Sequence, residues 1–503
     1  MASRPDGHVS PSVYETARLV SLAPWLTGHA ERVRFLLRSQ RADGGWGPPG
    51  EYALVPTLSA TEALLTVAAT SPASALLTAV DRGLQALTGW LAAARPIPDT
   101  PAIDLIVPAL VEAINARLPL IEGLSVRPVG SGVGLPIGMD GRRLTAVRGL
   151  IAGGGTVPPK LLHALEIVGD LAGRAQGVAP TPSGIVGASP AATAAWLGGL
   201  DGATSHPASR AYLESVVEQN DGLAPCATPI TVFERSWVVS TLARAGLTVP
   251  AAPELIRSLT ADLTADGTPT GPGLPADADT TSVTLYALTA LGAPADVECL
   301  WRYETDEGFC TWPGEDGFSL TTNAHVLDAL TQHVAVRPDA SARHRGAIRR
   351  LVDALQSRQE PDGSWQDRWH ASPYYATMCC TLALADAAEP PSAGTLTRAA
   401  QWVVASQQAD GSWGRWGGTA EESAYAVQVL VAAGRDVPGA DAALLRARPY
   451  LERHSAAQDD GPALWHDKDL YRPAMIVRAA LVAARHVTAR TVQEQQHLSG
   501  SRM

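Results

Sequence analysis

The sequence predicts an all-α protein built from repeated helix pairs. Of its 503 residues, 46% are hydrophobic and 18% charged, and Ala and Leu recur at helical spacing, while Val and Ile rarely alternate with polar residues. A Gln-x-x-Asp-Gly-x-Trp motif occurs three times, at 40–46, 359–365 and 407–413. Repeated motifs of this kind are typical of stacked helix pairs, and such pairs close into α/α barrels.

The repeated motif has a mechanical explanation. Its Asp-Gly step supplies the turn that ends one helix, and the following Trp is a large surface that fastens this turn to its neighbour. Between the copies, segments such as 343–359 and 422–434 carry apolar residues at helical spacing and end near Gly or Asp-Gly. We therefore expect the motif to belong to the scaffold and not to the chemistry.

Composition argues against several classes of function. The net charge is −11 and no long basic run occurs, so nucleic-acid binding is not expected. The five cysteines are odd in number and irregularly spaced, which is typical of a reducing compartment and not of a disulfide framework. The start of the chain does not read as a signal peptide, and no window reads as a transmembrane segment. We expect a cytoplasmic protein whose oligomeric state the sequence leaves open.

The most specific local feature is Asp277-Ala278-Asp279-Thr280-Thr281, at the junction of a turn-rich loop and a helix. One interpretation is a helix N-cap, formed by Asp279 or Thr280. Another is the nucleophile motif of haloacid-dehalogenase-type phosphatases, but that motif follows a buried β-strand and no strand is predicted here. A third is a proton donor, because a neutral carboxylic acid in an apolar pocket beside a second carboxyl can protonate an alkene. The residues alone leave the N-cap and the donor open.

The motif and its flanks resemble the class II terpene cyclases, which include squalene-hopene and copalyl diphosphate synthases. The resemblance covers nearly the whole chain. It implies two α/α barrel domains, called β and γ, with the active site between them: residues 1–24 are the first helix of β, 25–212 are γ, and 213–503 are the rest of β. The similar segments follow the family's order: 10–20, 40–47, 103–113, 161–169, 188–197, 232–247, 277–282, 321–330, 367–375, 410–427 and 464–473.

The same resemblance implies roles for four site residues. Asp279 is the general acid, Asp277 supports it, and Asn323 on a facing helix hydrogen-bonds the acid. Thr280 stands where most of the family has a further Asp. The resulting Asp-x-Asp-Thr-Thr resembles bacterial drimenyl diphosphate synthases, so we expect a C15 substrate, farnesyl diphosphate, cyclised to a bicyclic drimenyl-type diphosphate with the diphosphate retained. The alternative is the C20 substrate geranylgeranyl diphosphate, giving a copalyl-type diphosphate.

The cyclisation implied by the resemblance needs aromatic faces around its cations and positive charge around the diphosphate. A diphosphate is also often accompanied by Mg²⁺, for which the segment 95–108 offers only two acids, Asp99 and Asp104. The diphosphate is expected to contact Arg368, Lys468 and Arg472. The residues expected to line the cation path are Trp237, Trp312, Trp369, Tyr374, Tyr375 and Tyr425.

Three other functions compete with this interpretation of the sequence. Protein prenyltransferase β-subunits have a related barrel, but their zinc site needs an Asp-x-Cys with a distant His, and no cysteine here has that arrangement. Class I synthases ionise the diphosphate through Asp-Asp-x-x-Asp, which the sequence lacks. A barrel that only binds prenyl lipids or proteins is the non-enzymatic alternative. The presence of Asp277 and Asp279 together with Asn323 favours the enzyme.

Overall fold

The structure, a computed structural model, describes residues 6–126, 132–337, 341–387, 391–392, 394–454 and 461–500; for residues 491–500 it describes the backbone alone. The described part of the chain is helical, as the sequence predicts. Its N-terminal half also contains three segments of 3-10 helix, Gly50–Ala53, Leu118–Leu120 and Pro159–Arg174. The α-helices of this half are α1 (Val13–Leu22), α2 (His29–Ser39), α3 (Leu54–Thr70), α4 (Ser74–Ala92), α5 (Ile103–Arg117), α6 (Arg142–Ala152), α7 (Pro190–Leu197), α8 (Leu200–Ser205) and α9 (Pro207–Gln219).

The C-terminal half is a second set of helices with one short hairpin. The hairpin pairs β1 (Trp465–His466) antiparallel to β2 (Leu470–Tyr471), and one 3-10 segment spans Glu298–Tyr303. The helices are α10 (Thr231–Arg244), α11 (Pro253–Thr260), α12 (Ala278–Ala290), α13 (Leu320–Val336), α14 (Ala342–Ser357), α15 (Pro373–Asp386), α16 (Thr395–Ala405), α17 (Ala420–Ala433), α18 (Ala440–Arg453) and α19 (Ala474–Gly500).

Six helices of the C-terminal half close into a ring. In order, α10, α12, α13, α15, α17 and α19 pack each against the next, and α19 packs back against α10. The helices α14, α16 and α18 pack against the outside of this ring. Along the chain, each of them lies between two consecutive ring helices. Both sides of a ring helix are therefore covered, which explains why helices such as α12 and α17 are buried along nearly their whole length. This is the predicted α/α barrel.

The N-terminal half has its own core, and α1 belongs to it. The sequence assigned residues 1–24 to the C-terminal domain, but α1 packs against α3 and α7, with Tyr14, Ala17 and Val20 in the N-terminal core. The segment before α1 also contacts the C-terminal half, where Ser10 N–H donates to the Arg472 carbonyl at 3.0 Å. Along the chain, the buried residues change from the N-terminal core to the C-terminal core between residues 195 and 226. The first and last few residues of the predicted domains lie outside the described residues.

The three copies of the repeated motif have one geometry, which confirms their scaffold role. Each Trp is fully buried and its indole N–H donates to a carbonyl of the preceding helix, as Trp365 does to Leu355 at 2.9 Å. Each Gln amide bridges two carbonyls; Gln359 donates to Gly363 at 2.8 Å and to Thr395 at 3.0 Å. The motif glycine has a positive φ, 98° at Gly363, which Gly adopts without strain.

The two halves meet where the ring helices begin. Just before α17, Arg415 forms an ion pair with Glu51 of the N-terminal half at 2.6 Å. In the hairpin before α19, the His466 ring lies 3.0 Å from the hydroxyl of Tyr52.

Within the described residues, one helix, Gly50–Thr70, is long and apolar enough to cross a membrane by length and composition, and 78% of its most apolar window is buried inside the protein.

Candidate active site

The Asp-x-Asp-Thr-Thr motif lies at the end of the ring that faces the N-terminal half. Asp277 is the N-cap of α12: its Oδ1 accepts the backbone N–H of Thr280 at 2.6 Å. The hydroxyl of Thr270 donates to the other oxygen of Asp277 at 3.1 Å and lies 2.9 Å from the Thr280 hydroxyl. Asp277 is therefore the capping residue of α12. The side chain of Asp279, two residues further along the chain, is available for other contacts.

Asp279 contacts a histidine that the sequence analysis did not single out. Its Oδ1 lies 2.7 Å from Nδ1 of His325 on the neighbouring ring helix α13. The prediction that Asn323 hydrogen-bonds the acid is wrong. The Asn323 amide oxygen accepts the Phe309 backbone N–H at 2.8 Å, and its amide nitrogen donates to the carbonyls of Phe309 at 2.9 Å and Ser319 at 2.7 Å. The physical reason is helical phase, because residues two apart on a helix point about 200° apart.

The pKa values of Asp277 and His325, the two ionisable neighbours of Asp279, are both shifted. Burial, followed by the charge of Asp279, raises the pKa of Asp277 to about 7. Burial alone would lower the pKa of His325, but Asp279 and Cys379 more than offset this, and the pKa of His325 stands well above its usual value. Both shifts favour the protonated form, so these two neighbours hold their protons more readily than they would in water.

Three of the predicted aromatic residues lie together inside the ring. Trp237, Tyr375 and Tyr425 line the same cavity as His325. The Trp237 indole N–H donates to the Tyr375 hydroxyl at 2.8 Å, and the Trp237 ring meets His325 edge to face at 5.4 Å between centroids. The Tyr375 and Tyr425 rings are 5.3 Å apart. These rings provide the π-faces that a cation needs, directly beside the acid's partner.

The other predicted aromatic residues lie elsewhere. Trp312 and Trp369 pack on each other at 5.4 Å, in the loops between the two halves. Tyr374 is a correction to the prediction: it packs against Trp402 of the outer helix α16 at 4.6 Å. Tyr374 and its neighbour Tyr375 are 100° apart around α15, so only one of them can face the ring interior.

A second histidine–carboxylate pair, also missed by the sequence analysis, lies among the aromatic residues. Glu421, in the first turn of α17, accepts hydrogen bonds from the Trp465 indole at 2.8 Å and the Tyr425 hydroxyl at 3.0 Å. The His370 Nε2 lies 3.3 Å from the same Glu421 oxygen. His370 Nδ1 lies 3.0 Å from the Ser372 backbone nitrogen, which fixes the orientation of the ring. The sequence feature that could have indicated this pair is a Glu residue inside the apolar helix 420–433.

Two of the predicted diphosphate and metal residues meet at the contact between the halves. The guanidinium of Arg368 lies 2.9 Å from Asp99 of the N-terminal half and 2.9 Å from Glu315. Asp104 is not part of this group, because it pairs with Arg143 at 2.7 Å. Among the described residues, no three His, Cys, Asp or Glu side chains are arranged to hold a metal ion. Asp99 and Asp104 thus have different partners, Arg368 and Arg143, and the binding of Mg²⁺ stays a prediction.

Lys468 does not fit its predicted role. Its side chain is fully buried, and its ammonium pairs with Glu15 and, at 3.0 Å, with Glu166. It also donates to the Ser189 hydroxyl at 2.8 Å. With its donors committed to partners of the N-terminal half, Lys468 holds the two halves together. Arg472 is half-buried beside this hairpin, and its backbone N–H donates to the Ser10 hydroxyl at 3.0 Å.

Known proteins resemble this chain over its whole length. The squalene-hopene cyclase C-terminal domain family matches residues 316–456. The ent-copalyl diphosphate synthase of Streptomyces sp. (strain KO-3988) is 43% identical over 99% of this chain and 96% of that protein. The labda-7,13-dienyl diphosphate synthase of Streptomyces clavuligerus is 42% identical over 95% of this chain and 89% of that protein.

A solved structure agrees with these sequence relatives. The ent-copalyl diphosphate synthase from Streptomyces platensis superposes with a TM-score of 0.88 at 42% identity, covering 97% of each chain. The chain therefore belongs to the class II terpene cyclases, and its two helical halves have the βγ architecture of that family.

Proposed function

We propose that this enzyme cyclises geranylgeranyl diphosphate to a copalyl-type diphosphate and leaves the diphosphate in place. The observation that carries the proposal is the full-length similarity to proteins named copalyl and labdadienyl diphosphate synthases, at 42 to 43% identity. The expectation of a C15 substrate rested on Thr280 alone. The Thr280 side chain lies beside the Thr270 hydroxyl, and this single residue is weaker support than the full-length relatives. The C20 substrate therefore replaces the C15 substrate in the proposal.

The proposed reaction begins at Asp279. Its carboxyl O–H bond breaks as the proton adds to the terminal alkene, which leaves a tertiary cation. The second double bond attacks this cation and the third attacks the next, closing two rings, and transfer of one proton from carbon to a base ends the reaction. Trp237, Tyr375 and Tyr425 would stabilise the cations through their π-faces without supplying a nucleophile. The diphosphate takes no covalent part.

The neighbours of Asp279 support this role in different ways. A cationic His325, donating from Nδ1 to Oδ1, would stabilise the carboxylate that Asp279 becomes when its proton leaves. Asp277 is held by the Thr280 N–H and the Thr270 hydroxyl, and its own proton limits the negative charge beside Asp279. Protonation of an alkene needs a strong acid in a water-poor site, and both conditions are served by this cluster.

The diphosphate would lie at the contact between the halves, where Arg368 is the best placed of the predicted cations. Its planar guanidinium is suited to phosphate oxygens, and Glu315 fixes its position at 2.9 Å. The requirement for Mg²⁺ stays a prediction. Removing divalent cations with EDTA and restoring Mg²⁺ alone tests it, with product formation as the measurement.

Incubation with C15 and C20 diphosphates, followed by phosphatase and mass spectrometry, tests the proposed function. We expect a bicyclic C20 alcohol after dephosphorylation, and no cyclic alcohol when phosphatase is omitted. Exclusive conversion of the C15 substrate would reject the C20 proposal and favour the drimenyl-type reaction. Binding of both substrates without any cyclic product would favour the non-enzymatic prenyl-lipid barrel.

A further inference from the structure

The carboxyl of Glu421 lies across the ring from the acid. In the order of the ring, α12 and α17 are three helices apart in either direction, so these two helices are opposite each other. Asp279 is the second residue of α12 and Glu421 is the second residue of α17, which places both near one level of the ring. Val283 and Tyr425, four residues further along these helices, line the ring cavity. Residues four apart share one helix face, so both carboxyls are on the inner side of the ring.

The side-chain partners of Glu421 within the described residues are three aromatic groups. The Trp465 indole N–H donates to one carboxyl oxygen at 2.8 Å and the Tyr425 hydroxyl donates to it at 3.0 Å. The His370 Nε2 lies 3.3 Å from the same oxygen. An indole N–H can only donate, so Glu421 acts as an acceptor, which is the role of an ionised carboxyl.

Glu421 has no arginine or lysine partner in the part of the chain that the structure describes. Two other buried glutamates have one: Glu15 pairs with Lys468, and Glu62 with Arg18. The beginning of α17 offers only the partial positive charge of a helix N-terminus, which favours an ionised carboxyl at this position. The charge of Glu421 is therefore not cancelled by a fixed cation and acts on the ring interior.

Aromatic rings fill the space between Glu421 and the residues beside the acid. Tyr375 stacks on His370 at 4.7 Å and lies 5.3 Å from Tyr425. These rings keep the carboxylate, a potential nucleophile, away from carbocations. Hydrogen bonds from the Tyr425 hydroxyl and the Trp465 indole to a carboxylate also make both rings richer in electrons, which strengthens their attraction for a cation.

The proposed cyclisation moves positive charge away from Asp279. Once its proton has left, Asp279 is a carboxylate that stabilises the first cation, which forms beside it. Each ring closure then places the cation further along the substrate, at a greater distance from this carboxylate. A later cation is therefore stabilised less by Asp279 and needs negative potential from another side.

We propose that Glu421 is a positioning residue that supplies this potential: its carboxylate fixes the rings of Tyr425 and Trp465 and stabilises the cation formed when the second ring closes. The inference rests on the proposed function. It predicts that the charge of Glu421 decides whether the substrate proceeds from one ring to two.

Product analysis of Glu421→Gln in the full-length enzyme tests this role. The amide keeps the size of the side chain and an acceptor oxygen but removes the charge. We expect the rate to fall at least about tenfold, and monocyclic C20 alcohols to form at least about a tenth of the dephosphorylated product. A purely structural role predicts an unchanged monocyclic fraction, because the amide preserves the packing.

The matched control is Glu422→Gln. Glu422 is also buried in the first turn of α17, but it points about 100° away around the helix. It accepts hydrogen bonds from the hydroxyls of Thr419 and Ser372 and from no aromatic group among the described residues. Its monocyclic fraction should stay at the parental value.

Tyr425→Phe provides a second variant that keeps the aromatic ring. Phe has no hydroxyl to donate to Glu421, so the monocyclic fraction should rise, although less than in Glu421→Gln. The double variant should resemble Glu421→Gln alone, because the hydroxyl acts through the carboxylate. An unchanged monocyclic fraction in both single variants would overturn the inference.

A charged analogue measures the same effect without turnover. The probe is a geranylgeranyl diphosphate analogue with an ammonium nitrogen in place of the carbon that carries the last cation, and the protein is the Asp279→Asn variant. Adding Glu421→Gln should weaken binding of this analogue at least about tenfold, and binding of geranylgeranyl diphosphate less than about twofold. Equal changes for both compounds would contradict an electrostatic role. The proposed function fails on a different result, the absence of any cyclic C20 product from the parent enzyme.

Discussion

Two buried carboxyls, Asp277 and Glu15, have a raised pKa of about 7 but serve different purposes. Burial is the largest cause at both positions. Glu15 pairs with the fully buried Lys468 and accepts the Ala191 N–H at 2.7 Å, at the contact between the halves. Asp277 has no such fixed cation; its charged neighbour is another carboxyl, Asp279.

This difference shows what distinguishes a catalytic cluster from a structural one. At Glu15 a lysine and a set of backbone and hydroxyl donors surround the carboxyl, so a change of protonation would only weaken the contact. At Asp279 the partner is His325, which itself titrates and lines a cavity. Both sites contain a carboxyl with a raised pKa. The site of Asp277 and Asp279 differs because its partner, His325, can itself change protonation and lines a cavity.

The largest effect is expected for Asp279→Asn. The amide keeps the shape and the contact with His325 but has no proton to donate, so kcat should fall by at least about 10³-fold. Product formation from the C20 diphosphate measures the rate, and thermal unfolding serves as the control. We expect the melting temperature to stay near that of the parent.

Lys468→Met should affect stability more than chemistry. It leaves Glu15 and Glu166 buried without their cation, which costs about 3–5 kcal/mol in the free energy of unfolding. Urea unfolding measures this loss, and the folded fraction should still form product. A large loss of kcat in fully folded protein would place Lys468 in the reaction instead.

His325→Gln should lower kcat by about 10²-fold, less than Asp279→Asn, because the acid remains but loses its cationic partner. A positioning role also predicts a changed pH–rate profile, which a purely structural loss would not produce. The matched comparison is Asn323→Ser, since Asn323 bonds only backbone groups of Phe309 and Ser319. This second variant should reduce stability and leave the shape of the pH profile intact.

The effect that is smallest near neutral pH is a pH dependence of kcat. The raised pKa of Asp277 means that the cluster keeps its protons below about pH 7 and loses one as the pH rises through that value. The acid form is then depleted, so kcat should fall by about tenfold per unit well above pH 7. Asp277→Asn should move this limb of the profile. A limb that stays in place in the variant would assign it to another group.

The sequence predicted the features that depend on local chemistry. The Gln-x-x-Asp-Gly-x-Trp turns, the ring of helices and the position of the acid motif all follow from short segments with their own turn and capping preferences. Features set by helical phase and by packing could not be read in the same way. Asn323 and His325 lie two residues apart in one segment, and only the rotation of α13 decides which meets Asp279.

Long-range pairing explains the other differences. Lys468 lies in a polar segment that reads as exposed, yet its partner Glu166 is 302 residues away in the chain. Likewise, α1 carries apolar residues that suit either half, and its contacts with α3 and α7 place it in the N-terminal core. Both outcomes depend on which surfaces the two halves present to each other, and no local pattern contains that information.

The central claim, that a protein-bound proton starts the reaction at an alkene, is tested most directly by turnover in D₂O. The C20 diphosphate is converted in D₂O, and the intact product is analysed by mass spectrometry before any phosphatase step. We predict a cyclic diphosphate that carries one deuterium on carbon. A cyclic product without deuterium, or one that has lost its diphosphate, would contradict the account.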